Sequence, residues 1–184
     1  AVAPMAEARK APVVAVLNGR LYAVGGRNDG ARSSMEQYYP ATNAWEAVAP
    51  MTEARHSHAM VVLDGKLYAV GGYSAGALSS VERYDPATNA WEAVAPMAAA
   101  RSDHGVAVLD GKLYAVGGYN LGSLSSVERY DPATNAWEAV APIARRREGL
   151  GVAVLDGKLY AVGGYDDDDG YSGRRLRRWG RRGF

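Results

Sequence analysis

The chain has 184 residues, of which 48% are hydrophobic and 22% charged, and its formal net charge is +1. It contains no cysteine, which excludes disulfides, thiolate catalysis and cysteine-bound zinc or iron–sulfur centres. No apolar run is long enough to span a bilayer, and the near-neutral charge gives no general attraction to nucleic acid or membranes.

A ten-residue phrase recurs four times along the chain at a constant step of 46 residues. It is NGRLYAVGGR at 18–27 and DGKLYAVGGY at 64–73, 110–119 and 156–165. The same step separates three tryptophans, Trp45, Trp91 and Trp137. Because 4 × 46 is 184, the chain is four repeat lengths long, and such a period indicates a repeat architecture.

The first half of each repeat predicts a β-hairpin, as the second repeat shows. HAMVVL at 58–63 is a continuous apolar run, which is typical of a strand buried on both faces. The dipeptide DG at 64–65 predicts a type I′ turn, because both of its positions need a positive φ. KLYAVGG at 66–72 is then the returning strand.

The second half of the repeat predicts two further strands. SSVERYD at 79–85 alternates between two faces, and DPATN at 85–89 is a turn in which Pro86 fixes φ. AWEAVAP at 90–96 is the fourth strand, ended by Pro96. No stretch has a helical period, so we predict an all-β fold built from four-stranded antiparallel units, as in a β-propeller.

Three signals recur in order in these repeats: a double glycine after an apolar strand, a Tyr-Asp-Pro turn and a tryptophan after a fixed gap. Together they resemble the kelch repeat, whose period is about 50 residues. The resemblance covers residues 1 to about 165. It implies a β-propeller that serves as a binding platform, although a minority of the family, such as galactose oxidases and sialic acid mutarotases, are enzymes.

We therefore expect one kelch-like propeller domain over residues 1–184, made of four 46-residue repeats. Its blades are predicted at about 13–50, 59–96, 105–142 and 151–184.

The two ends of the chain depart from the repeat. AVAPM at the start aligns with 47–51, the end of a fourth strand, so residues 1–4 are expected to close the last blade. The segment 166–184 diverges into an acidic and then an arginine-rich stretch. We do not expect this short tail to bind nucleic acid, and the acidic run lacks the ligand spacing of a calcium loop.

Four near-identical blades favour one angle between neighbours, and a ring of four needs a steeper turn than that of larger propellers. We therefore expect self-association, with two chains forming an eight-bladed ring through head-to-tail contacts. A closed four-bladed monomer and an open fragment are the alternatives.

One arginine occupies the same position in every repeat, just before the first strand. The four are Arg9, Arg55, Arg101 and Arg147. They could form a ring that binds an anion or an acidic peptide, because a guanidinium offers paired donors to a carboxylate. Alternatively, each arginine could cap carbonyls or pair with an acidic side chain between blades.

The remaining candidates for a binding face come from the second and third repeats. His58 and His104 share a repeat position, and Tyr73 and Tyr119 begin the loop between the second and third strands. Most differences between these repeats fall on the connections that emerge on one face, as binding loops on a rigid scaffold do. Two histidines without a third ligand do not predict a metal site, and no cofactor is expected.

Three functions are compatible with the sequence. The first is a non-enzymatic interaction module whose loop face binds a protein or peptide, and the second is a self-assembling scaffold, natural or designed, without a ligand. The third and least favoured is a kelch-type sugar-active enzyme, since an active site needs one blade to differ and the clearest difference lies in the C-terminal segment. Nothing in the sequence indicates a cellular compartment.

Overall fold

The computed structural model describes residues 1–166, and that part of the chain is built from β-strands and turns, with no helix. The first blade contains β1 (Val13–Leu17), β2 (Arg20–Val24), β3 (Met35–Tyr39) and β4 (Ala44–Val48). The second contains β5 (Ala59–Leu63), β6 (Lys66–Val70), β7 (Val81–Asp85) and β8 (Ala90–Val94). The third contains β9 (Gly105–Leu109), β10 (Lys112–Val116), β11 (Val127–Asp131) and β12 (Ala136–Val140). A hairpin follows, formed by β13 (Glu148–Leu155) and β14 (Lys158–Tyr165).

Each of the three blades is an antiparallel sheet whose strands lie side by side in chain order. The predicted all-β fold of four-stranded antiparallel units is therefore confirmed. The hairpin β13–β14 lies where the first two strands of the predicted blade at 151–184 are expected, although β13 begins earlier, at Glu148. The remaining predicted strands of that blade and the divergent tail lie outside the described residues.

The hairpin turns have the geometry that the DG dipeptide predicts. In the second blade, Asp64 has φ 50° and Gly65 has φ 71°. Both angles lie in the left-handed region that a type I′ turn needs, and the turn joins β5 to β6 in register, with Leu63 opposite Lys66.

Neighbouring blades are joined by a tryptophan and an asparagine on the second of the two. The indole Nε1 of Trp91 donates to the carbonyl of Ala49 at 2.9 Å, and the amide of Ala49 donates to Oδ1 of Asn89 at 3.0 Å. The hydroxyl of Tyr84 donates to the same Asn89 oxygen and its ring packs on Trp91. The outer strands of the second blade thus hold the residue that follows the outermost strand of the first blade.

The hydrophobic core lies between blades rather than within one of them. The first interface buries Tyr22 and Met35 of the first blade against Leu67 and Tyr84 of the second. The next interface repeats this arrangement, and burial of these faces is the main force that holds the blades together.

Ala3, near the start of the chain, contacts the first blade in the way that Ala49 contacts the second blade. The amide of Ala3 donates to Oδ1 of Asn43, and the indole of Trp45 donates to the carbonyl of Ala3 at 3.0 Å. Residues 1–3 therefore lie where the end of a preceding outer strand would lie. Closure of the last blade by residues 1–4 stays a prediction, since the outer half of that blade is outside the described residues.

Candidate functional site

One face of the propeller carries the loops between second and third strands and the segments that enter first strands. We call it the loop face. Here Tyr73 pairs with His56 through two main-chain hydrogen bonds of 3.0 and 2.8 Å, and Tyr119 pairs with Ser102 in the same way. Each of the two predicted tyrosines is thus fixed beside a residue that lies three positions before the first strand of a blade.

These pairs border a depression of about 540 Å³, which we call the loop-face depression. It gathers side chains from three successive repeats. Its lining residues are His56, Ser57, Tyr73, Ser102, Asp103, Tyr119, Glu148 and Tyr165.

The lining residues are held by main-chain hydrogen bonds that run from blade to blade. The amide of Asp103 donates to the carbonyl of Ser57 at 2.9 Å, and the amide of Gly149 donates to that of Asp103 at 2.7 Å. Ser57, Asp103 and Gly149 share a repeat position and all have a positive φ, between 50° and 60°. Because main-chain groups make these bonds, the side chain at this position can change without loss of the scaffold.

His56 forms one wall of the depression. Its ring lies 5.5 Å from that of Tyr73, and its Nδ1 is 3.3 Å from the hydroxyl of Ser57. Burial lowers the pKa of His56 and the charge of Arg27 adds to this, while Asp103 acts in the opposite direction. The imidazole is therefore predominantly neutral at pH 7.

The repeat-position arginines lie in a different place from the depression. Arg55 has no exposed side-chain surface. Its Nη1 donates to the carbonyls of Gly71 and Ser80, and its Nη2 donates to Glu82 at 2.7 Å. Both terminal nitrogens of the guanidinium are thus engaged within the second blade.

The Arg55–Glu82 pair also anchors the segment that crosses from the first blade to the second. Glu82 accepts hydrogen bonds from the amides of Thr52 and Glu53 at 2.6 and 3.0 Å. The carbonyl of Arg55 accepts a hydrogen bond from the amide of Gly26 in the first blade. One arginine therefore binds its own blade through its side chain and the preceding blade through its backbone.

Equivalent pairs, Arg9–Glu36 and Arg101–Glu128, join buried groups at 2.7 and 2.6 Å. This geometry matches the alternative in which each arginine caps carbonyls and pairs with an acidic side chain, although the pair lies within one blade, and it corrects the expectation of an exposed ring at Arg9, Arg55 and Arg101. A buried guanidinium cannot contact a ligand, so these three arginines are not part of the candidate site.

Arg147 differs from its counterparts. It is half-buried, and its Nη1 donates to the carbonyl of Gly163 at 2.9 Å. The position that carries a pairing glutamate in the other repeats is Arg174 in the fourth. Arg147 lies beside the depression's Tyr165, in a separate hollow of about 20 Å³.

His58 and His104 lie between blades rather than on the loop face. A Cβ atom added to Gly25 would lie 2.9 Å from Cε1 of His58, and His104 packs on Gly71 in the same way. Burial, followed by the charge of the adjacent arginine, lowers the pKa of each histidine to about 3. Both are buried neutral rings, so we also leave them out of the candidate site.

Two of the eight lining residues, Tyr73 and Tyr119, are candidates that the sequence predicted. The other six are His56, Ser57, Ser102, Asp103, Glu148 and Tyr165. A signal was present, because one lining position is Lys10, His56, Ser102 and Glu148 in the four repeats. This lining position thus carries a different residue in every repeat.

Within residues 1–166, no helix has the length and apolar character to cross a membrane. The same residues contain no cluster of three or more histidine, aspartate or glutamate side chains that could hold a metal ion.

Comparison with known proteins places the chain in a family. A model of the KLHDC2/KLHL20/DRC7 Kelch-repeats domain matches residues 3–164. Comparison with curated proteins gave no match. Among solved structures, that of YjhT is similar over 85% of this chain, with a TM-score of 0.76 and 19% sequence identity. The chain spans 59% of the YjhT chain, and the similarity supports a shared fold. The repeats, the propeller blades and the match over residues 3–164 together show that the chain belongs to the kelch-repeat family.

Proposed function

We propose that this chain is a non-enzymatic interaction module whose loop face binds a protein or peptide. The observation that carries the proposal is the loop-face depression, where three tyrosines from successive repeats lie around one opening. Tyr73 and Tyr165 are 37% and 42% exposed. Tyrosine suits such a surface because its ring offers apolar area and its hydroxyl a hydrogen bond.

A second feature of the same face supports this proposal. Leu121, in the loop between β10 and β11, is 98% exposed and has φ 56°. A leucine in the left-handed region is strained, and such strain is found most often at functional sites. We propose that Leu121 gives the bound partner an apolar contact.

A catalytic role for the depression is the alternative. An active site requires one blade to differ from the others, and the blades do differ on this face. Three of its side chains occur in one repeat only, namely His56, Asp103 and Glu148. We favour binding because Asp103 is exposed to solvent. A carboxyl group that acts as a general acid at neutral pH normally lies in an apolar pocket that raises its pKa.

Selection from a random dodecapeptide library displayed on phage tests the proposed function. We expect enriched peptides to lose binding to the double variant Tyr73→Ala/Tyr119→Ala. The control is Asp64→Asn/Asp110→Asn in the turns of the opposite face, where Asn18 already precedes a glycine in the first repeat. Failure to select any peptide whose binding depends on the two tyrosines would contradict the proposal.

Self-association is a second candidate property, and it rests on the first strand. Val14 and Val16 of β1 are 59% and 64% exposed. Their counterparts in β5, Met60 and Val62, pack against the core of the preceding blade. We propose that a second copy of the chain covers the exposed face of β1 with a blade-to-blade contact of the same kind.

A further inference from the structure

The described lining of the loop-face depression contains acidic side chains but no lysine or arginine. The acidic side chains are those of Asp103 and Glu148. We propose that the depression receives a lysine or arginine side chain of the bound peptide. This inference rests on the proposed function and specifies the chemistry of the partner.

The aromatic lining supports this choice of ligand. Tyr73, Tyr119 and Tyr165 come from equivalent positions of three repeats and border the same opening. The face of an aromatic ring attracts a cation, and the attraction is strengthened where a carboxylate lies nearby. An acidic side chain would instead meet the like charge of Asp103, which is unfavourable.

Arginines lie near the depression without lining it: the charge of Arg27 acts on His56, and Arg145 and Arg146 line the neighbouring hollow. His56 is predominantly neutral at pH 7 for the reasons given above. The counterparts of His56 and Tyr73 in the first repeat are Lys10 and Arg27, which do not line the depression. The cation is therefore expected beside Asp103, which does not line the hollow of Arg145 and Arg146.

The expectation of an acidic partner depended on exposed arginines. Arg9, Arg55 and Arg101 are buried against glutamates, so they give the loop face no positive surface. Arg147 is directed to the carbonyl of Gly163 in the separate hollow. The charge that a partner meets in the depression is thus opposite in sign to the one that the sequence suggested.

The peptide selection described above tests the inference when the sequences of the bound peptides are read. We expect lysine and arginine to be enriched among peptides whose binding depends on Tyr73 and Tyr119. Replacement of the enriched cation by glutamine in a synthetic peptide should weaken binding at least about tenfold, as loss of a charge-assisted contact does. Fluorescence anisotropy with a labelled peptide measures this change.

A matched pair of protein variants assigns the effect to the depression. Asp103→Asn should weaken the cationic peptide several-fold and reduce the salt dependence of its binding. The substitution preserves the shape, and asparagine tolerates the φ of 50° at this position. Asp64→Asn makes the same charge change on the opposite face and should leave the affinity unchanged.

The outcomes separate the two proposals. Tyrosine-dependent peptides that are acidic or neutral would overturn the cationic ligand while they support a binding loop face. Equal effects of Asp103→Asn and Asp64→Asn would also overturn the inference. If no peptide depends on the tyrosines, the proposed function itself fails.

Discussion

The buried Arg55–Glu82 pair holds the segment that crosses from the first blade to the second. Transfer of both charges from water is costly, and their mutual attraction and added hydrogen bonds offset that cost. The pair therefore contributes specificity of assembly, because it places the crossing segment against one blade in one register. Loss of either partner would leave the other charge buried and uncompensated.

We predict that Arg55→Met lowers the free energy of unfolding by about 3–5 kcal/mol, the range for breaking a buried ion pair. The control is Arg83→Met in the same blade, where the pair with Glu92 is partly exposed. An exposed pair contributes about 0–1 kcal/mol. Urea denaturation of the two variants measures the difference, and equal losses would contradict the role of the buried pair.

His58 and His104 make the stability of the chain depend on pH. Each is neutral in the fold because burial lowers its pKa to about 3, whereas the unfolded chain binds a proton near pH 6.5. Below pH 6.5 the unfolded state therefore binds more protons than the native state. Stability is lost as the pH falls through this window.

We expect a loss of about 1.4 kcal/mol per pH unit for each histidine between pH 6 and 4.5. The double variant His58→Leu/His104→Leu should remove most of this slope, and the fourth repeat already has Leu150 at the equivalent position. Urea denaturation at pH 7 and pH 5 is the measurement. An unchanged slope in the variant would show that other groups, such as His56, cause the pH dependence.

At the scale of the element, a blade is completed by contacts that it makes with the next one. The double glycine at the end of β6 shows this. The amide of Gly72 donates to the carbonyl of Arg101 in the third blade at 2.8 Å. The same carbonyl lies so close to Gly71 that an added Cβ atom would be 2.5 Å from it.

We predict that Gly71→Ala lowers the free energy of unfolding by about 2–3 kcal/mol, because it combines steric overlap with strain at a φ of 54°. Gly76→Ala is the matched control, since nothing lies within 4 Å of its added Cβ atom. This control should change stability by less than about 0.5 kcal/mol. Thermal unfolding of both variants compares them, and a tolerated Gly71→Ala would argue against a close seam between blades.

At the scale of the whole molecule, two sheet faces lack a neighbouring blade within the described structure. One is the face of β1 with Val14 and Val16, and the other is the face of the last hairpin with Leu155 and Val162, which are 59% and 61% exposed. These faces correspond by repeat position to the two sides of the buried interfaces. They are therefore complementary in shape and in apolar character.

We predict that the chain of residues 1–184 associates head to tail, with two copies completing one ring. Light scattering at micromolar concentration should give twice the chain mass of 19.6 kDa. Val16→Glu should shift the mass to that of one chain, because a charge would be buried in the contact. Leu121→Glu on the loop face is the control, and a single-chain mass for the unaltered protein would refute the association.

The local structure of the repeat follows from its amino-acid sequence. The DG turns require a positive φ wherever they occur, and the 46-residue step of apolar runs, turns and tryptophans assigns every strand of the three complete blades. These features depend on neighbouring residues and on burial, so they can be predicted without knowledge of the partners in space. The candidate tyrosines Tyr73 and Tyr119 were found in this way.

Which side chains meet depends on how the blades pack against one another. Arg55 and Glu82 are 27 positions apart, so sequence spacing could not show that a pairing glutamate buries the arginine. Likewise, Asp103 and Glu148 line one depression because successive blades are packed side by side. The side chains on the loop face depend on these long-range contacts. For this reason three of the arginines that the sequence suggested as a basic ring are buried, while two carboxylates line the depression.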